Sequence, residues 1–126
     1  ARNHAAFWDG KMLELTPAYD ICPQPRTGGI ASQAMFIHGN TNSSQLRECI
    51  AAASQFQLSR QDAILIIEDI AKAIVKNWKA ACDEAELSTV DKNLFQANQF
   101  FNPFAFENLD DDSKHLEKIN KKFKSK

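Results

Sequence analysis

The stretch RNHAAFWDGKMLELTPAYDICP, residues 2–23, predicts a short antiparallel β-hairpin at the start of the chain. Two runs rich in apolar residues, 5–9 and 12–16, have the length and composition of short strands. Asp9-Gly10 between them is a strong turn signal, because Gly accepts a positive φ without steric cost. A two-stranded hairpin is only marginally stable by itself in water. We therefore expect it to lie against another part of the protein, with Phe7, Leu13 and Leu15 on one face and Trp8 and Met12 on the other.

Two side chains that flank the predicted hairpin, those of Asn3 and Asp20, form a candidate metal site. Hard cations such as Mg²⁺ take oxygen ligands and share them with substrate phosphates. An amide and a carboxylate that a hairpin brings together therefore indicate a magnesium–phosphate site. The simpler interpretation is that Asn3 caps a turn and Asp20 bends the loop that follows, as Asn and Asp commonly do. The spacing alone favours this simpler interpretation.

The same stretch resembles the catalytic core of HipA-type kinases, the toxin Ser/Thr kinases of bacterial toxin–antitoxin pairs. The resemblance implies that Asn3 matches the Asn that ends the catalytic loop of that family. It implies that Asp20, in the pair Tyr19-Asp20, matches the metal-binding Asp. The resemblance is dense over residues 2–23 and looser to about residue 85. With this pattern around Asn3 and Asp20, the metal-ligand interpretation becomes the favoured one.

The resemblance implies a transferase that moves a phosphoryl group from ATP to a protein, with Mg²⁺ held by Asn3 and Asp20. His4 is a further candidate cofactor-binding residue, since an imidazole beside a phosphate can donate a hydrogen bond; a loop-bracing role is the more common one. The catalytic-base Asp of the family would lie upstream of Ala1. We therefore expect no catalytic residue in this chain and no kinase activity from the chain alone.

The partners that the resemblance implies are a protein substrate and either an antitoxin or the missing N-terminal kinase portion. The alternative function is a stand-alone helical protein-interaction module with a Phe-rich surface. Arg2 is a weaker candidate for phosphate contact, and Arg26-Thr27-Gly28-Gly29 is a weaker candidate for a backbone anion nest. An exposed side chain and an ordinary turn are the favoured interpretations of these two. No hydrolase or dehydrogenase motif is present.

Composition indicates one ordinary globular domain. The chain has 126 residues, of which 44% are hydrophobic and 25% are charged. Its net charge of −1 gives no overall attraction to nucleic acid or to an anionic membrane. The Lys-rich end, residues 114–126, is expected to be a solvated terminal helix, so direct nucleic-acid contact is the weaker alternative. No apolar run reaches transmembrane length, and no membrane partner is expected.

Cysteine usage indicates a reducing compartment. Cys22, Cys49 and Cys82 are an odd number without CxxC spacing, which argues against a disulfide framework and against a zinc site. No signal peptide is visible. We therefore expect a cytoplasmic protein.

The predicted fold is mainly α with a small N-terminal β-hairpin, as the C-terminal part of a protein-kinase-like helical lobe. One unit is predicted over residues 1–126, divided into a hairpin with the metal-site residues (1–20), a loop (21–43) and a helical part (44–123). Hydrophobic spacing predicts helices at about 44–56, 60–85, 89–100 and 113–123. Ser59 with Asp62, and Ser88 with Asp91, have the spacing of capping boxes at two of the helix starts.

Overall fold

The computed structural model describes residues 3–22 and 29–124; about half of the chain is helical, and within these ranges the sheet is one small antiparallel hairpin. The strands are β1 (Ala6–Trp8) and β2 (Leu13–Leu15). The α-helices are α1 (Leu46–Ala51), α2 (Arg60–Glu84), α3 (Thr89–Leu94) and α4 (Leu116–Lys124). Shorter helical segments are two 3₁₀ helices (Ala53–Phe56 and Pro103–Phe106) and one π-helix (Phe95–Gln99). Within the described ranges, no helix combines the length and apolar character needed to cross a bilayer.

The hairpin turn is shifted by one residue from its predicted position. The backbone N–H of Asp9 donates to the carbonyl of Met12 at 3.4 Å, so Gly10 and Lys11 occupy the turn, and Gly10 has φ 97°. The Asp9 carboxylate accepts hydrogen bonds from the backbone N–H groups of Lys11 at 2.7 Å and Met12 at 2.9 Å. The hydrogen bond from Met12, and to a smaller extent that from Lys11, lowers the pKa of Asp9 below its ordinary value. Asp9 therefore stabilises the turn as the residue before its two central positions.

The strand register decides which side chains share a face of the hairpin. The opposed pairs are Ala6 with Leu15, Phe7 with Glu14, and Trp8 with Leu13. Opposed residues point to the same face, so Trp8 lies beside Leu13 and Leu15 while Phe7 lies on the other face. The prediction that Phe7 shares a face with Leu13 and Leu15 is therefore wrong, because a change of register moves a side chain to the opposite face.

The predicted long helix is confirmed as α2. Its capping box is present: the Ser59 hydroxyl accepts from the backbone N–H of Asp62 at 3.1 Å, and the Asp62 carboxylate accepts from the backbone N–H of Ser59 at 3.3 Å. α1 is shorter than predicted and starts at Leu46. Ser44, two residues before Leu46, lies outside the helix, and its backbone N–H donates to the carbonyl of Ala31 at 2.9 Å.

The third predicted helix divides in two. Ser88 caps α3 as predicted, because its hydroxyl accepts from the backbone N–H of Asp91 at 3.1 Å. The α-helix ends at Leu94, however, and the chain continues as a π-helix. α4 starts three residues later than predicted, because the hydroxyl and backbone N–H of the buried Ser113 both donate to the carbonyl of Asp110 in a turn.

The core lies between α1, α2 and the C-terminal segment. Ile50 of α1 and Ile64 and Ala71 of α2 pack with the buried C-terminal residues Phe101, Phe106, Leu109, Leu116 and Phe123. The Trp78 ring meets Phe123 edge to face, with 5.3 Å between centroids. Phe101 and Phe106 of the Phe-rich segment are thus part of this core.

Ion pairs join later parts of the chain to both ends of α2. Arg60 contacts Asp112 at 2.8 Å and Asp110 at 2.7 Å. Asp83 contacts Lys79 at 2.6 Å and Lys92 of α3 at 2.7 Å. Exposed pairs of this kind contribute little to stability individually. They help to orient residues 110–112 and α3 relative to α2, which the buried aromatic residues already hold in place.

Phe123→Ala should destabilise the protein strongly, because Phe123 is only 1% exposed. We expect the free energy of unfolding to fall by about 3–5 kcal/mol, as for other buried Phe truncations, measured by urea denaturation. Phe56→Ala is the matched control: Phe56 is 71% exposed, and we expect a change within about 0.5 kcal/mol. Equal losses in the two variants would contradict this placement of the core.

Asp83→Asn should change how stability depends on pH. Lys79 and then Lys92 lower the pKa of Asp83 to about 2 from its ordinary 3.8. A lowered folded-state pKa stabilises the fold above the unfolded value, and that stabilisation is lost as pH falls from about 4 through about 2. The urea midpoint of the Asn variant should therefore fall less steeply over this interval. Glu84→Gln, one residue along, should keep the slope of the unaltered chain.

Candidate metal centre

The predicted ligands Asn3 and Asp20 lie on the two chain segments that leave the open end of the hairpin. The backbone N–H of Thr16 donates to the carbonyl of Ala5 at 3.0 Å, which extends the pairing one step beyond the strands. Asn3 precedes Ala5 by two residues, and Asp20 follows Thr16 by four. Both are exposed. The hairpin thus brings both segments to the same end, as the sequence predicts, although the metal site itself stays a prediction.

Both predicted ligands adopt a left-handed backbone conformation. Asn3 has φ 62° and Asp20 has φ 55°. Among residues with a side chain, Asn and Asp enter this region most readily. The conformation agrees with the turn interpretation of the sequence. It also agrees with a ligand role, since unusual backbone angles recur at functional sites. The sequence patterns predicted the residue types but not these angles.

A groove of about 450 Å³ lies beside Asn3, and residues 33–37 form its other side. This segment belongs to the region predicted as a loop, but hydrogen bonds hold it to the chain that follows. The backbone N–H of Gln33 donates to Asn42 at 2.7 Å, and that of Ile37 donates to Thr41 at 2.8 Å. Asn3 and a segment braced by hydrogen bonds therefore line the same groove. Sequence reasoning missed these residues, although the turn at Gly39, with φ 54°, could have indicated the reversal.

Of the remaining predicted site residues, the structure describes His4 and Gly29. His4 is exposed and follows Asn3 directly, so it lies at the same open end of the hairpin, and its phosphate contact stays a prediction. Arg2 and residues 26–28 lie outside the described residues, so the anion nest is not described beyond its last member. That last member, Gly29, is exposed.

The side-chain oxygens at the open end of the hairpin suit Mg²⁺ better than zinc. No group of three or more His, Cys, Asp and Glu side chains within residues 3–22 and 29–124 could hold a metal ion. Structural zinc sites need four nitrogen or sulfur ligands. Mg²⁺ instead keeps several waters and takes one or two protein oxygens together with phosphate oxygens. The amide oxygen of Asn3 and the carboxylate of Asp20 fit that smaller requirement.

Comparison with known proteins identifies the family. A family model described as HipA-like C-terminal domain matches residues 1–78, which is more than half of the chain and includes both Asn3 and Asp20. The chain therefore belongs to this family, and the resemblance noted in the sequence is confirmed to that extent. No curated protein matches the chain, and no solved structure does.

Mn²⁺ titration should locate the metal site. Carboxylate and carbonyl oxygens that suit Mg²⁺ also suit Mn²⁺, whose paramagnetism broadens nearby amide signals in NMR spectra. We expect broadening at residues 3–5 and 19–22, and we expect Asp20→Asn to abolish it because the charged ligand is lost. Asp9→Asn, at the turn end of the hairpin, is the control and should leave the pattern unchanged. Broadening that survives Asp20→Asn would contradict the assignment.

Proposed function

We propose that this member of the HipA-like C-terminal domain family is part of a Ser/Thr protein kinase, in which Asn3 and Asp20 hold Mg²⁺ and ATP phosphates. The main support is that the family match spans both residues. Further support comes from the hairpin, which brings their two segments to one end. The oxygen donors at that end are the ligand types that Mg²⁺ takes.

The proposed role of these residues is positioning. Bound Mg²⁺ supplies positive charge that stabilises the phosphoryl group during transfer. Asn3 and Asp20 orient that charge, and His4 donates a hydrogen bond to a phosphate oxygen. Catalysis of phosphoryl transfer depends mostly on such placement. The catalytic base and the ATP-anchoring Lys are assigned to no residue of this chain, so in our proposal another kinase portion supplies them.

The biological setting that we propose follows the family resemblance, and the proposed compartment follows the cysteine usage of the sequence. The kinase acts as the toxin of a bacterial toxin–antitoxin pair, it phosphorylates a protein, and it is cytoplasmic. Its partners are the protein substrate and an antitoxin or the complementary kinase portion.

The surface of the N-terminal part supports a second candidate function, protein interaction. Six of the first 45 residues are charged, against 25 of the remaining 81. Exposed large hydrophobic side chains accompany this low charge: Phe7, Trp8, Met12, Leu13, Leu15, Tyr19, Ile21, Ile30, Met35 and Phe36. A surface with few charges and many exposed apolar side chains is typical of interfaces. In the kinase proposal, this surface receives the complementary kinase portion; in the alternative, it binds a different protein.

Substitution of the two ligands in a complete kinase that contains this chain should reduce turnover. Asn3→Gly removes the amide while Gly still accepts the left-handed conformation, and Asp20→Asn removes the charge. We expect each to lower kcat by at least about a hundredfold, as when an electrostatic contact to a transition state is lost. Asp9→Asn should retain kcat. Near-normal rates for the first two variants would reject the proposed function.

The isolated chain offers the complementary measurement. Without the catalytic base it should transfer no phosphate from ATP to a protein. ATP-dependent phosphorylation by the purified chain would contradict this. If Asp20→Asn left both activity and partner binding of the complete protein unchanged, the protein-interaction function would be the better account.

A further inference from the structure

A pocket of about 550 Å³ lies between α1, α2 and residues 98–106, and no residue of the described hairpin lines it. This volume falls within the range of small-molecule sites, roughly 300–1,000 Å³. Its apolar lining includes Leu46, Ile67, Ile70, Ile74, Phe104 and Phe106. The three Ile residues follow one another along one face of α2. The pocket therefore has the size and the walls of a ligand site.

The lining of this pocket is uncharged. Its polar members are hydroxyl and amide side chains, those of Ser44, Asn98, Gln99 and Asn102, together with the thiol of Cys49. A quarter of the whole chain is charged, so the absence of Asp, Glu, Lys and Arg from this described lining is selective. A charged ligand would lose its hydration here without gaining an ionic partner. Charge complementarity therefore favours an uncharged ligand.

The C-terminal wall of the pocket has an unusual backbone. It follows the π-helix Phe95–Gln99, and single π turns occur frequently at functional sites. Phe101 then has φ 53°, a left-handed conformation that is rare for a bulky residue. Its ring stacks on Phe106 at 5.4 Å and contacts Phe123 at 4.5 Å between centroids. Core packing thus maintains a strained wall, which is a feature of ligand sites.

Gln99 adds an unsatisfied polar group to the same wall. Its side-chain oxygen Oε1 is buried and has no hydrogen-bond partner in the described part of the chain. Buried polar atoms without a partner are uncommon in folded proteins. Gln99 borders the pocket, so a rotation of its amide would let Oε1 accept a hydrogen bond from a bound molecule. After that rotation the pocket would present one acceptor to a donor group of the bound molecule.

We propose that this pocket binds an uncharged, largely apolar small molecule that donates one N–H or O–H group to Gln99. The apolar body of the ligand fills the space between α2 and Phe104. The inference is independent of the proposed kinase function, since it uses neither Asn3 nor Asp20.

Three fluorescent probes of similar shape test this proposal on the full 126-residue chain. N-phenyl-1-naphthylamine is uncharged and has one N–H group, 1-phenylnaphthalene lacks the N–H group, and 1-anilinonaphthalene-8-sulfonate adds a charge. We expect saturable one-to-one binding of the amine. Its affinity should exceed that of the hydrocarbon about fivefold, through one hydrogen bond, and that of the sulfonate about tenfold, through desolvation of the charge.

Variants on α2 and at Gln99 locate the bound probe. Ile70→Asp places a charge at the pocket and should weaken binding of the amine at least about tenfold. Ile66→Asp is the matched control, because Ile66 lies one turn earlier, is exposed to a similar degree (45% against 57%) and is not part of the lining. It should leave the affinity unchanged. Gln99→Met should make the amine and the hydrocarbon bind equally.

Several results would overturn the proposal. These are the absence of saturable binding, equal losses in the Ile66 and Ile70 variants, and a preference for the amine that persists in Gln99→Met. Sedimentation of the same samples tests another occupant: a dimer that Ile70→Asp dissociates would show that a second copy fills the pocket. Urea denaturation of each variant verifies that the chain still folds.

Discussion

The burial of C-terminal aromatic residues against α2 is the contact on which the helical part of this protein depends. Ile64 and Ala71 face Phe101 and Phe123 in one buried cluster. The family match ends at residue 78, so the rings come from chain beyond the matched part. The HipA-like portion therefore completes its core with residues that the family pattern does not include. Loss of this later segment would expose one side of the central helix.

The N-terminal part differs from the helical part in its burial, because its large apolar side chains are exposed. Within residues 3–22, only Thr16 is even half-buried. The candidate ligands Asn3 and Asp20 lie in this least packed region. A ligand set contributes to catalysis only when neighbouring groups fix its geometry. The hairpin and the braced segment beside Asn3 supply part of that order, and in our proposal the complementary kinase portion supplies the rest.

The sequence predicted elements whose signals are local and strong. The Ser59–Asp62 cap and the repeated Ile residues gave α2 its bounds, and Gly10 identified the hairpin. The strand register, which moved Phe7 to the other face, depends on the turn geometry that Asp9 fixes. The start of α1 is delayed by a tertiary contact, the bond of Ser44 to Ala31. The π-helix after Leu94 was not predicted. At the candidate site, residue types were predictable, whereas left-handed backbone angles and the pocket at Gln99 need the folded chain.

The exposed edges of the two-stranded hairpin have a consequence for the lifetime of the protein in cells. Among the described residues each strand has one neighbouring strand, so within that part of the chain its outer edge presents backbone groups outside any ladder, and such edges are templates for aggregation. Beside these edges lie exposed aromatic rings, the kind of surface that chaperones and proteases act on in incompletely assembled chains. In our kinase proposal, a copy without the complementary kinase portion would thus be cleared faster than an assembled one. Cellular quality control would then hold the two in matching amounts.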